Sequence, residues 1–143
     1  MAGRTNIKIK GKIVEGLGEG GKFTRIPWVR HQLMSKLSID PFPGTLNLEI
    51  STTDDLENLE TLRRRDGIEI LPEDPSFCRG KCYPALVGGR LRGAVVVPDV
   101  PDYPRNKIEL ISDQNMKESL SVTAGDILEV EILLENQDVR FIR

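Results

Sequence analysis

A chain of 143 residues, 38% hydrophobic and 29% charged, has the size and balance of one globular domain covering residues 1–143. Its 20 basic and 22 acidic residues give a net charge of −2, which opposes a broad nucleic-acid surface, because such surfaces are basic. The apolar runs are too short to cross a bilayer and "MAGRTNIKIKGK" has no apolar leader, so the expected location is cytoplasmic, with no membrane partner.

"NIKIKGKIVEG" alternates apolar and polar residues: Ile7, Ile9, then Ile13 after a shift at Gly11. This predicts a strand bulged at the glycine. A glycine-rich loop follows, and "FTRIP" reads as a short strand. Pro27 suits the first turn of a helix, and Val29, Leu33, Met34 and Leu37 recur at helical spacing up to Ser38. "DPFPG" is a rigid turn, and "TLNLEI" then alternates strictly, with Leu46, Leu48 and Ile50 on one face and Thr45, Asn47 and Glu49 on the other. Ser51 to Arg65 is polar and predicts a loop with a short helix; "GIEILP" predicts a strand. "KCYPALVGGRLRGAVVVP" reads as a hairpin with a two-residue turn at Gly88-Gly89, its "VVV" buried on both faces. "PDVPDYPRN" is a loop, "KIELIS" a strand, "DQNMKESLS" a helix of one or two turns and "DILEVEILLE" a last strand. Seven or so short strands with few helices predict a mainly β fold, a closed or nearly closed barrel with one or two helices over its openings.

The chemistry-bearing material is sparse. Cys78 and Cys82 lie in C-x3-C spacing, and the only histidine, His31, sits in a helical segment; they make neither a zinc set nor a nucleophilic triad. Arg63-Arg64-Arg65 is the one basic cluster and reads as a solvated face, offset by nearby acids. Any chemistry then rests on carboxylates, backbone amides, a metal ion or substrate positioning.

Three stretches qualify. "EGLGEGGKF", Glu15 to Phe23, holds four glycines in nine residues. It lacks the Ser or Thr and the long helix of a phosphate loop, yet its bare backbone suits close approach to an anion as well as a plain turn. In "PFPGTLNLEI", Thr45 and Asn47 share a strand face. Their hydroxyl and amide oxygens suit Mg²⁺ whose remaining ligands are phosphate and water; a solvent-facing pair is the plainer alternative. In "KIELIS", Glu109 sits mid-strand opposite to the face of Ile108 and Leu110, as a cross-strand partner or as a general base toward a hydroxyl.

"GKIVEGLGEGGKF", "PFPGTLNLEI", "LRGAVVVP", "KIELIS" and "VTAGDILEVEI", in this order, resemble the archaeal CTP-dependent riboflavin kinases over about Ile7 to Leu134. The resemblance implies a six-stranded cradle-loop, riboflavin-kinase-like barrel. It also implies transfer of the γ-phosphate of CTP to the 5′-hydroxyl of riboflavin, giving FMN and CDP; the expected assembly state is a monomer. On the matching positions, Leu17, Gly18, Glu19, Gly20, Gly21 and Lys22 would line the nucleotide, and Gln114, Asn115, Met116 and Lys117 would close over it. Thr45 and Asn47 would hold Mg²⁺, and Glu109 would face the flavin as the base. Pro101 stands where the family carries a flavin-contacting Thr, and Tyr103 is its candidate replacement. The competing readings are a small-barrel DNA-binding regulator that uses Arg63 to Arg65, and a flavin- or nucleotide-binding barrel without turnover.

Overall fold

The computed structural model describes residues 6–16, 23–76 and 79–134. In β1 (Ile7–Val14) the lysines at 8, 10 and 12 are exposed, while Ile9, Gly11 and Ile13 are buried. The alternation is unbroken, and Gly11 pairs with Leu128 inside a continuous ladder to β7 (Ile127–Ile132), so the bulge expected at Gly11 does not form. The reason is steric. A Cβ at Gly11 would lie 2.7 Å from Ile50 Cδ1 and 2.9 Å from Leu48 Cβ, so side chains of the neighbouring strand already fill its place.

Six antiparallel strands close into a barrel: β4 (Gly80–Val87), β5 (Leu91–Pro98), β6 (Lys107–Ser112), β2 (Leu46–Glu49), β1 and β7, with β7 pairing back to β4. The expected mainly β barrel is therefore correct. A seventh strand, β3 (Ile68–Ile70), pairs with the Gly80–Cys82 end of β4, while β7 takes its Ala85–Val87 end. Closure satisfies backbone groups that an open sheet would leave at its edges.

Apolar side chains fill two layers. Ile9, Ile13, Leu46, Leu48, Val95, Ile108, Leu110 and Val130 belong to the core inside the barrel. Outside it, Val29, Leu33 and Leu37 of α1 (Pro27–Leu37) pack on Ile70, Cys82, Ala94, Val96 and Ile111. Val95 and Val97 thus face inward and Val96 outward, which is why "VVV" lacks alternation and is buried on both sides. Met34, expected on the same helix face, is 47% exposed, because the buried stripe runs only through every fourth residue. Ser38 ends α1 in the left-handed region at φ 58°, its N–H bonded to the Leu33 and Met34 carbonyls.

Other local readings change. The expected strand at "FTRIP" is instead helical over residues 23–25, and the Ile26 N–H bonds the Phe23 carbonyl before α1 begins. The polar segment after Ser51 contains α2 (Thr53–Arg63), capped by Thr52 Oγ1 accepting the Asp55 N–H, with Leu59 and Leu62 buried in the barrel core. With α3 (Met116–Leu120), the described residues hold more helix than the one or two expected. The β4–β5 turn uses positive φ at Gly88 and Gly89, as expected. It spans three residues, not two, because Val87 pairs with Leu91. No helix among the described residues is long and apolar enough to cross a membrane.

Gly11→Ala drives a methyl group into Leu48 and Ile50, and a close-packed interior resists this at a cost of about 1–3 kcal/mol. The expected outcome is a lower urea midpoint at unchanged m-value; an unchanged midpoint contradicts the packing described for β1.

Candidate functional site

The antiparallel register sets Asn47 of β2 opposite Val14 on one side and Glu109 of β6 on the other. Glu109 faces Val96 of β5 in turn, and Val96 faces Cys82 of β4. One row of side chains therefore crosses the outer face of the barrel. Its Val96 and Cys82 end lies under α1, whereas Asn47 and Glu109 are only half-buried. Directly opposed residues in such a pair have Cβ atoms about 4.5–5.5 Å apart, which makes the Asn47 amide and the Glu109 carboxylate neighbours. Thr45, half-buried just before β2, shares the face of Asn47 by the two-residue period.

One flank of the glycine-rich segment lies against this strand and the other is tied to the turn that enters it. A Cβ at Gly16 would lie 2.3 Å from Asn47 Nδ2, so the chain passes directly over the Asn47 amide, and a larger residue there would push the end of that side chain aside. On the far side, buried Thr24 accepts a 3.0 Å hydrogen bond from the Gly44 N–H, one residue before Thr45. Residues 17–22 themselves, Leu17, Gly18, Glu19, Gly20, Gly21 and Lys22, lie outside the described residues. Beside Thr24 opens a cleft of about 440 Å³ lined by Arg25, Arg30, Asp40, Phe42 and Asp113, with Arg30 and Asp40 paired at 2.8 Å.

The 114–117 segment enters the same neighbourhood. Lys117 Nζ lies 3.9 Å from Glu15 Oε2, at the start of the glycine-rich segment. The other three side chains have local tasks. Asn115 caps α3 by accepting the Glu118 N–H, Gln114 Oε1 accepts from the Ser119 hydroxyl, and Met116 is buried in the barrel core.

Glu109 has a partner that the sequence did not reveal. The Tyr103 hydroxyl donates to Glu109 Oε2 at 2.8 Å. Burial, and next the Glu109 carboxylate, push this half-buried phenol well above its ordinary pKa, so it is a hydrogen-bond donor at any working pH. Pro101, two residues earlier, is exposed and has no side-chain donor. The loop carrying Tyr103 is held from α2. Arg63 donates to the carbonyls of Arg105 at 2.9 Å and Pro104 at 3.5 Å and pairs with Glu60 at 2.9 Å; Glu60 also pairs with Arg105. The Arg105 hydrogen bond is the main reason that the Glu60 carboxyl sits below its usual range. Arg63 is thus not part of a solvated face: its side chain is 13% exposed, while Arg64 and Arg65 do face solvent. The Glu60–Arg63 spacing of three residues on a helix was the available signal.

The remaining candidates carry no chemistry here. Buried Cys82 has its thiol pushed up to about 12 by burial, far from a reactive thiolate, and Cys78 lies outside the described residues. His31 is exposed on α1.

Among the described residues no cluster of three or more His, Cys, Asp or Glu could hold a metal by itself. Thr45 and Asn47 offer neutral oxygens beside one carboxylate, with the Asn47 amide nitrogen nearer to Gly16 than its oxygen. That donor set fits Mg²⁺ carried on a polyphosphate, whose own oxygens and waters complete the octahedron.

The family model CTP-dep_RFKase, described as "Domain of unknown function DUF120", matches residues 13–132. A riboflavin kinase of Methanosarcina barkeri is 37% identical over 128 residues, covering 88% of this chain and 56% of that protein. One of Archaeoglobus fulgidus is 37% identical over 134 residues, covering 90% of this chain and 55% of the relative. Against the riboflavin kinase of Sulfurisphaera tokodaii the identity is 38% over 136 residues, 92% of this chain and 99% of the relative. The chain spans about half the length of the first two relatives and nearly all of the third. On the family match and this similarity, the chain belongs to the CTP-dependent riboflavin kinase domain family.

Proposed function

We propose that the chain is a riboflavin kinase that transfers the γ-phosphate of CTP to the 5′-hydroxyl of riboflavin, giving FMN and CDP. The observation that carries this reading is that the glycine-rich segment's flanks lie against Asn47 and bond the turn before Thr45, with Glu109 in the next strand. Phosphoryl transfer needs three things in one place: donors for the phosphates, a cation and an oriented hydroxyl. The names of the relatives support the flavin as acceptor, and the family name supports CTP as donor.

In this reading the backbone of Leu17 to Gly21, with Lys22, cradles the phosphates, and the 114–117 segment closes over the nucleotide from the side of Glu15 and Lys117. Thr45 and Asn47 would hold Mg²⁺, which when bound offsets charge on the phosphates. Glu109 orients the riboflavin 5′-hydroxyl. The hydroxyl oxygen forms a bond to the γ-phosphorus as the bond from that phosphorus to the β,γ-bridging oxygen breaks. The hydroxyl proton passes late to the Glu109 carboxylate and then to solvent, and CDP leaves with the bridging oxygen. A monomer in the cytoplasm suffices for this chemistry. The DNA-binding alternative loses weight because Arg63 is engaged with the Tyr103 loop and does not extend a basic patch.

Incubating the protein with riboflavin, Mg²⁺ and each of the four nucleoside triphosphates, and separating flavins by chromatography, tests the reading. FMN should form with CTP at least tenfold faster than with ATP, GTP or UTP. No FMN with any donor refutes the kinase, and equal rates with ATP refute the donor. Gly16→Ala probes the site from another direction. Its methyl would displace the movable end of the Asn47 side chain, so FMN formation should fall tenfold or more while the urea midpoint stays at the parental value. Parental turnover in this variant would show that Asn47 has no part in catalysis.

A further inference from the structure

We propose that Tyr103 is a positioning residue: its hydroxyl pins one oxygen of the Glu109 carboxylate and leaves the other to accept from the reacting hydroxyl. The inference rests on the reading of Glu109 given above and assigns Tyr103 a task other than touching the flavin.

Two observations carry it. The phenol has one proton, and it is donated to Glu109 Oε2 at 2.8 Å, so it is not available to a second acceptor. Among the described residues, no hydrogen bond reaches Glu109 Oε1 and no cation pairs with the carboxylate; its neighbours across the strands are Asn47 and Val96. A glutamate with one oxygen fixed and the other open has the geometry of an acceptor held in place for a single incoming O–H.

The loop behind Tyr103 is held at several points. Pro98, Pro101 and Pro104 restrict its backbone, and the N–H of Asp99 and of Tyr103 bond to the Arg79 and Val100 carbonyls. Arg63 clamps the Pro104 and Arg105 carbonyls, and Glu60 pairs with both Arg63 and Arg105. These residues sit at the end of α2, whose Leu59 and Leu62 are anchored in the barrel core. A line of contacts therefore runs from the core through α2 and the loop to Glu109. A hydroxyl reaching Glu109 from this loop also fits the absence of a side-chain donor at Pro101.

The test measures kcat for FMN formation, and riboflavin affinity by fluorescence quenching, in Tyr103→Phe, Glu109→Gln and the double variant. Tyr103→Phe keeps the ring and should lower kcat tenfold or more, with riboflavin affinity within twofold of the parent. The double variant should be no slower than Glu109→Gln alone, since the hydroxyl acts only through that carboxylate. Arg63→Ala, which loosens the loop from a distance, should lower kcat in the same direction and add nothing to Tyr103→Phe. Parental kcat in Tyr103→Phe, a loss confined to riboflavin affinity, or multiplicative losses in the double variant would overturn the proposal while leaving the kinase reading intact. Parental kcat in Glu109→Gln would instead remove the role of Glu109, and this inference with it.

Discussion

The antiparallel pairing of β2 with β6 decides what the outer face of this barrel can do. It sets Asn47 beside Glu109, and a slip of either strand by one residue would turn that strand's polar residue into the core and its apolar neighbours out to solvent. Leu46, Leu48, Ile108 and Leu110 hold the register by filling the barrel interior from the opposite face. Nothing polar has to specify the pairing, so the polar face is left available for ligands. Neither β2 nor β6 is an edge strand, since β5 and β1 pair with their outer sides.

The outer face is divided along its length. α1 covers the part made by Ala94, Val96 and Ile111, and its apolar stripe stops there. Beyond it the contacts come from loops and from the short helix α3. Gly16 lies on Asn47, Thr24 ties to Gly44, Lys117 reaches Glu15 and Tyr103 reaches Glu109. Four segments distant in sequence, β2 itself among them, are thereby brought together. Under the proposed activity they are the nucleotide loop, the cation strand, the closing segment and the flavin-side loop. The small neutral donors Thr45 and Asn47 fit this plan, because polyphosphate brings the negative charge with it.

The faces of the site strands were legible in the sequence, because a period of two is a local property. "TLNLEI" and "KIELIS" show which side Thr45, Asn47 and Glu109 take. That Asn47 and Glu109 stand opposite each other was not legible, since register is set between segments about sixty residues apart and by core volume. Gly11 misled for a related reason. A glycine in a strand signals either a bulge or a close neighbour, and only the position of Leu48 and Ile50 decides. "FTRIP" carried strand-forming residues, but the tie from Thr24 to Gly44 and the turn into Pro27 override that preference. Arg63 looked like one member of a charge run, and its bonds to loop carbonyls come from tertiary contact alone.

The central claim is that Asn47 holds the cation of the bound nucleotide beside Glu109, and the Mg²⁺ dependence of FMN formation at saturating CTP tests it most directly. In Asn47→Ala the Mg²⁺ concentration giving half-maximal rate should rise tenfold or more, whereas in Glu109→Gln it should stay at the parental value while the maximal rate falls. An unshifted Mg²⁺ titration in Asn47→Ala would contradict the account.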